Sequence, residues 1–212
     1  MPTVNIYVDG FNLYYGAFRT RWPQYKWLDL QGFCESLLPG REVKRIRYFT
    51  AQVRNTPQNP GAANRQRIYL RALATLPKVE IHYGHFSTHD VRLPLANPPR
   101  NGPATALVRR TEEKGSDANL AAYLLLDCGR SDSDEAVVIS NDSDFAEPIR
   151  LVRDALQMSI GVINPSQRRR SIQLWQAASW SYPIINERIF RSNQLPLQLT
   201  DANGTFSKPP AW

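Results

Sequence analysis

Short runs of β-forming apolar residues alternate along the chain with longer segments that carry apolar residues at helical spacing. The runs that predict strands are 4–9, 43–53, 78–86, 135–140, 158–164 and 182–185. The segments that predict helices are 11–18, 28–38, 59–76, 116–128, 144–156, 171–178 and one beginning near 187. This alternation predicts an α/β fold, in which helices cover both faces of a mainly parallel central sheet.

Two segments depart from the alternation. Residues 87–110 are rich in Pro and Asn, and connections of this length are uncommon in compact domains unless they act as lids or binding loops, or contain a hairpin. We therefore expect either a solvated insertion or a flap that faces the substrate. The last residues show no periodicity, so we predict one domain over 1–195 and a flexible C-terminal tail over 196–212.

Composition narrows the class of protein. The 212 residues are 42% hydrophobic, which is enough for a full core, and no apolar run approaches the ~20 residues that span a bilayer. The N-terminus has no pattern of a secretory signal, and the two cysteines form no disulfide framework, so we expect a cytoplasmic protein. The formal charge of +7 favours a polyanionic partner, and 21 of the 26 basic residues are Arg, whose planar guanidinium suits phosphate oxygens.

Acidic residues stand where predicted strands end or predicted helices begin. Asp9 ends the first strand, Asp142 and Asp144 follow the strand at 135–140, and Asp117 opens the helix at 116–128. In open α/β sheets, ligands bind beyond the carboxyl ends of the strands. If the first strand and the 135–140 strand are neighbours, only about 4.8 Å separates them, and the aspartates approach one another.

The electrostatic repulsion among carboxylates clustered in this way must be offset. Two unit charges about 4 Å apart repel by roughly 4 kcal/mol at an effective dielectric constant of 20. A helix cap explains Asp117 or Asp144 taken singly, but it does not explain four carboxylates at one sheet edge. A divalent cation explains them, and Mg²⁺ and Mn²⁺ prefer oxygen ligands. The absence of Cys and His near these positions argues against Zn²⁺.

Three stretches resemble the signature blocks of the NYN domain, a branch of the PIN-like nuclease superfamily. They are YVDGFNLYYG (7–16), EEKGSDANLAAYLLLD (112–127) and VVISNDSDFAEPIRLVR (137–153), and the resemblance extends over about residues 3–191. It implies a Rossmann-like three-layer sandwich and a metal-dependent ribonuclease that hydrolyses RNA phosphodiester bonds.

The resemblance also implies roles for individual residues. The positions that match the family's site are Asp9, Asn12, Asp117, Asp142 and Asp144. The four aspartates are the expected ligands of Mg²⁺ or Mn²⁺, with Asp144 completing the site or orienting a water. Asn12 carries no charge, so we expect it to position substrate or water, or else to fix the turn after the first strand. Asn141 stands where a small residue is common in the family, a difference that leaves the carboxylates intact.

Basic residues are the candidates for substrate binding. Lys114 could neutralise a carboxylate or hold the scissile phosphate, or it could form an ion pair with Glu112 or Glu113. The other candidates for contact with an RNA backbone are Arg109, Arg110, Arg168 and Arg169. A solvated basic face is the alternative interpretation of these arginines.

The expected partner is RNA, as a single strand, and a membrane is not expected. A second copy of the chain or a regulatory protein is the other partner considered. The alternative function, on the same fold, is a regulatory module that binds RNA or protein and cleaves little or nothing.

Overall fold

The computed structural model describes residues 1–166 and 170–212. Seven strands form the main sheet: β1 (Thr3–Asp9), β2 (Glu42–Ala51), β3 (Val79–Pro94), β4 (Thr105–Lys114), β5 (Glu135–Ile139), β6 (Ser159–Ile163) and β7 (Trp180–Ser181). The α-helices are α1 (Gly10–Leu13), α2 (Leu30–Leu37), α3 (Ala62–Leu73), α4 (Ser116–Gly129), α5 (Ala146–Asp154), α6 (Ile172–Ala177) and α7 (Glu187–Ser192). A π-helical turn (Tyr14–Phe18) and two 3₁₀ turns (Pro23–Tyr25 and Ser143–Phe145) complete the helical structure of the described residues, and β8 (Gln198–Asp201) and β9 (Gly204–Ser207) form a separate hairpin.

The order of the main sheet places β1 at its centre. The strands run β4-β3-β2-β1-β5-β6-β7, and every pairing is parallel except that of β3 with β4. β1 pairs with β2 on one side and with β5 on the other, so the strand order reverses at β1. β1 and β5 are therefore adjacent, which is the condition for the aspartates to approach one another, and the carboxyl ends of these two strands form the switch point at which such folds bind ligands.

Helices cover both faces of the sheet because the central strands are apolar on both sides. Val4, Ile6 and Val8 point into one core, which α2, α3 and α7 cover, while Tyr7 points into a second core under α4, α5 and α6. All four side chains are fully buried. The predicted α/β class and three-layer architecture are confirmed.

A buried ion pair holds α4 against the sheet. The Arg47 guanidinium donates two hydrogen bonds to the Asp127 carboxylate, at 2.7 and 3.1 Å, and the Tyr7 hydroxyl donates a third at 3.0 Å. The Arg47 guanidinium also lies 4.4 Å from the centre of the Tyr123 ring. Burial raises the pKa of Tyr7, so its hydroxyl keeps its proton and remains a donor. These contacts fix the helix whose first turn carries Asp117.

The segment 87–110 is mostly a hairpin. β3 continues past its pairing with β2, which ends at Gly84, and pairs with β4 from His85 to Pro94. Only residues 95–104 lie between the two strands. Most of this arm is exposed, since it extends beyond the body of the sheet.

Three other local features differ from the predicted elements. The helix predicted at 11–18 becomes a π-helical turn after Leu13, and the last strand lies at Trp180–Ser181 instead of 182–185. Within the segment predicted as a tail, β8 and β9 form a hairpin whose Leu199 and Phe206 pack against the first core. The division into a domain of 1–195 and a tail stays a prediction.

None of the helices described in the two ranges of the structure is both long and apolar enough to cross a membrane.

Candidate functional site

Asp9 lies where β1 passes into α1, almost completely enclosed. Its side chain is 6% exposed and caps the helix by accepting a hydrogen bond from the Asn12 backbone N–H at 2.9 Å. The Ser140 hydroxyl donates to its other carboxylate oxygen at 3.0 Å. Neutral groups therefore donate to both carboxylate oxygens of Asp9. None of the ion pairs among the described residues includes Asp9.

The loop after β5 brings Asp142 and Asp144 to the same edge. The Ser140 hydroxyl that donates to Asp9 also accepts a hydrogen bond from the Asp142 N–H at 3.1 Å. The Asp142 carboxylate in turn caps the 3₁₀ turn by accepting from the Asp144 N–H at 3.1 Å. Asp142 is half-buried and Asp144 is exposed. Ser140, which sequence reasoning missed, thus connects the two strand ends.

Asp117 reaches the site from the first turn of α4. The helix begins after Gly115, whose φ is +95°, and Glu113 accepts hydrogen bonds from the Ser116 N–H at 3.1 Å and hydroxyl at 2.7 Å. Glu113 is a fifth carboxylate, which the sequence analysis did not place in the site. The spacing Glu-x-x-Ser across a helix start could have indicated it, although in the reverse order of the familiar capping box.

The carboxylates affect one another electrostatically. Burial is the largest effect that raises the pKa of Asp9, to about 6, and the charges of Asp117 and Asp142 add to it, while the hydrogen bonds from Asn12 and Ser140 lower it. Partial desolvation, followed by the charges of Glu113, Asp142 and Asp144, raises the pKa of Asp117. The aspartates predicted from separate parts of the chain are therefore within electrostatic range of one another.

The residue types at this sheet edge suit a metal ion, but the spacing of their side chains does not. The donors are all carboxylate, hydroxyl and amide oxygens, which suits Mg²⁺ or Mn²⁺. Within residues 1–166 and 170–212, however, no group of three or more acidic, His or Cys side chains is close enough to hold a metal ion. The residues fit the ion in type, and their side chains would have to draw closer to bind it.

Asn12 has a structural role in addition to any contact with substrate. Its side-chain oxygen accepts a hydrogen bond from the Asn141 N–H at 3.0 Å, and the Asn141 side chain accepts from the Ser171 N–H at 2.7 Å. A small cleft of about 160 Å³ opens beside this chain of bonds, next to Tyr15 and Ser166. Asn141, the residue that departs from the family pattern, therefore has a structural role in this network.

The predicted basic residues occupy different places. Arg109 pairs with Asp90 across the hairpin arm at 3.0 Å, and Arg110 pairs with Glu112. Lys114 is exposed at the end of β4, and the ion pairs of the described chain do not include it. Arg168 and Arg169 lie outside the described residues, while the neighbouring Arg170 stacks on the Trp175 ring at 5.0 Å.

Comparisons with known proteins identify the family of the chain and a solved structure of similar fold. The NYN domain family model matches residues 3–183. A relative from Pseudomonas putida, named 6-hydroxy-3-succinoylpyridine 3-monooxygenase HspA, is 30% identical over 98% of this chain and 74% of its own length. The crystal structure of a protein of unknown function from Vibrio parahaemolyticus aligns with a TM-score of 0.57 and 17% identity, covering 92% of this chain and 96% of that one.

Proposed function

Because the chain belongs to the NYN domain family, we propose that it is a divalent-metal-dependent ribonuclease that hydrolyses single-stranded RNA. The family fold is nuclease-like and implies RNA binding. The observation that carries the proposal is that Asp9, Asp117 and Asp142 lie within electrostatic range of one another, so that the latter two raise the pKa of Asp9.

In this proposal Asp9, Asp117 and Asp142 hold Mg²⁺ or Mn²⁺, and Asp144 completes the site. The chemistry that such an ion supplies is polarisation of a phosphoryl oxygen and a lowered pKa of water. Ser140 holds the Asp9 carboxylate in one orientation, through its hydrogen bond to that side chain. The exposed carboxylate of Asp144 orients the attacking water, and the Asn12 amide, whose oxygen is already bonded to Asn141, donates to the substrate.

Lys114 is the proposed phosphate contact nearest to the acidic cluster. It ends the strand that leads into α4, three residues before Asp117. Arg109 and Arg110 are proposed to contact RNA further along the arm, at the cost of weakening their ion pairs, and Arg168 and Arg169 are proposed as additional contacts. A cytoplasmic location and pairing with a second copy or a regulatory protein belong to the same proposal.

Cleavage of end-labelled single-stranded RNA in Mn²⁺ and in excess chelator tests the proposal. We expect products only with the metal, and Asp142→Asn should abolish them while the circular dichroism spectrum and melting temperature stay close to those of the wild type. Asp154→Asn, an exposed aspartate of α5, is the matched control and should cleave normally. Salt-sensitive RNA binding without products would instead support a regulatory module.

The curated relative favours a second candidate function, oxygenation of a pyridine ring. Its 30% identity extends over 98% of this chain. Monooxygenation inserts one atom of O₂ into the substrate and reduces the other to water, which requires a two-electron donor. Oxygen consumption by this protein with 6-hydroxy-3-succinoylpyridine and a reduced nicotinamide donor would support it, and a rate no higher than that of the heat-denatured protein would exclude that substrate.

A further inference from the structure

A second cleft, separate from the acidic site, lies between α3, β3 and the segment that follows β2. Its volume is about 480 Å³, within the range of small-molecule pockets. Leu70 and Ile81 contribute apolar surface, and amide side chains contribute hydrogen-bonding groups. The lining residues used below are Gln52, Asn55, Asn64, Arg67 and Tyr83.

The cleft is lined by both polar and apolar groups, and hydrogen bonds hold its walls. Gln66 fastens α3 to the segment after β2, since it accepts from the Val53 N–H at 2.8 Å and donates to the Ala51 carbonyl at 2.9 Å. Asn55 accepts from the Ala63 N–H at 3.0 Å, which orders the loop that precedes α3. These bonds hold the walls of the cleft in place without a ligand.

Several groups in the cleft remain available to a ligand. Arg67 donates to the Asn64 side-chain oxygen at 2.8 Å, but no carboxylate of residues 1–166 and 170–212 forms an ion pair with it, and no Asp or Glu belongs to the described lining. The amide oxygen of Asn55 is bonded to the Ala63 N–H, and the side-chain amide of Gln52 has no partner in the described structure. The Tyr83 side chain is 48% exposed, and none of the described aromatic rings or cations stacks on it.

This combination matches the chemistry of a nucleotide. Amides pair with the edges of a base, an exposed aromatic ring stacks on its face, and an arginine without an acidic partner binds phosphate. The cleft also lies near the acidic site. Gln52 follows Phe49, the β2 partner of Asp9, by three residues, which places it at most about 10 Å further along the direction of β2 and one strand away.

We infer that this cleft binds one nucleotide of a single-stranded RNA whose scissile phosphate lies at the acidic site, with the base stacked on Tyr83 and the phosphate on Arg67. The inference rests on the proposed ribonuclease function. The RNA would pass over the carboxyl ends of β1 and β2, from the α4 face of the sheet to the α3 face. Binding would thus depend on residues that take no part in the chemistry.

Fluorescence anisotropy with an end-labelled single-stranded RNA of about 16 nucleotides tests the inference, in an Asp142→Asn background that prevents cleavage. Tyr83→Ala should weaken RNA binding roughly tenfold, whereas Tyr83→Phe, which keeps the ring, should bind within about twofold of the parent. Circular dichroism and melting temperature establish that both variants fold.

Arg67→Gln supplies a second measurement that a purely structural role would not change. It should reduce the slope of log Kd against log salt by about one, the signature of one lost phosphate contact. Arg130→Gln is the charge-matched control, since Arg130 caps the far end of α4, and it should leave the slope unchanged.

The other outcomes are distinguishable. Normal RNA binding and a normal salt slope for Tyr83→Ala and Arg67→Gln would overturn the cleft assignment and leave the ribonuclease proposal in place. Binding of free AMP that does not displace RNA and is lost in Tyr83→Ala, without any change in RNA affinity, would also overturn it, because the site would then serve a free nucleotide. A wild-type protein that neither binds nor cleaves RNA would overturn both proposals.

Discussion

Asp9 combines deep burial with the charge that the proposed metal site requires. Its carboxylate is 6% exposed and has two neutral donors, which do not offset the loss of hydration and the nearby negative charges. Because its pKa is raised from 3.8 to about 6, the folded protein binds a proton at Asp9 more tightly than the unfolded chain does. The stability from this group is thus complete below about pH 3.8 and is lost as the pH rises through about 6.

Replacing Asp9 with Asn should therefore stabilise the metal-free protein at neutral pH. The difference in pKa corresponds to about 3 kcal/mol, an upper value for the gain in the free energy of unfolding. Asn also retains the ability to cap α1. Urea unfolding at about pH 7.5 and about pH 4 measures the effect, which should disappear at the lower pH.

Asp154→Asn provides the control for that experiment. Its partner Arg153 lowers the pKa of Asp154, which is the opposite direction, so this substitution should not stabilise the protein at neutral pH. Saturating Mn²⁺ should stabilise the wild type more than Asp9→Asn, because the ion binds the folded state. An Asp9→Asn variant less stable than the wild type at both pH values, without metal, would show that the buried charge carries no cost.

Individual site residues were predictable to different degrees. The positions of Asp9 and Asp142 follow from strand ends that the apolar pattern marks clearly. Ser140 and Glu113 could not be predicted in the same way, because their contribution is a contact across elements or across a helix start. A hydroxyl at a strand end and an acid before a helix have many ordinary explanations.

At the scale of elements, the approach of β3 to the start of α4 controls where Asp117 lies. A Cβ atom added to Gly84 would lie 2.6 Å from the Lys114 carbonyl oxygen and 2.8 Å from the Ser116 nitrogen. Both are backbone atoms, so relief requires the turn that begins α4 to move. The absence of a side chain at Gly84 thus allows β3 and the acidic helix to meet.

Gly84→Ala should therefore lower both stability and metal-dependent cleavage. We expect a loss of about 1–3 kcal/mol in the free energy of unfolding, typical of overpacking, and a lower Mn²⁺ affinity because Asp117 shifts. Gly129→Ala, at the other end of α4, is the control: no atom lies within 4 Å of the added Cβ, so it should be neutral or slightly stabilising. Equal behaviour of the two variants would contradict a positional role for Gly84.

Elements with strong periodicity were predicted well, and those that depend on tertiary contacts were not. The central strands and α4 were expected close to their observed bounds. The hairpin β8–β9 was missed because its strands have only four residues each, and its anchors are distant: Arg71 donates to Asp201 at 2.6 and 2.7 Å and stacks on Phe206. The turn at Asn203–Gly204, with a φ of +98° at Gly204, was the one local signal.

At the scale of the whole molecule, the fold brings carboxylates more than a hundred positions apart within electrostatic range of one another. Asp9, Asp117 and Asp142 approach one another because β1 lies between β2 and β5, and because the buried Arg47–Asp127 pair fixes α4. The alternation of strands and helices predicted this layered arrangement, whereas the separations among the carboxylates depend on side-chain conformations that no sequence pattern specifies. The net charge of +7 draws a polyanion to the molecule but does not determine where it binds.

Direct measurement of Mn²⁺ binding tests most sharply whether this arrangement is a cation site. Titration followed by the electron paramagnetic resonance of free Mn²⁺ should show saturable binding by the wild type, strengthening as the pH rises through about 6 with the ionisation of Asp9. The Asp9→Asn, Asp142→Asn double variant should leave the added Mn²⁺ free, while Asp154→Asn should bind as the wild type does. Equal Mn²⁺ binding by the double variant and the wild type, or none by either, would contradict the account.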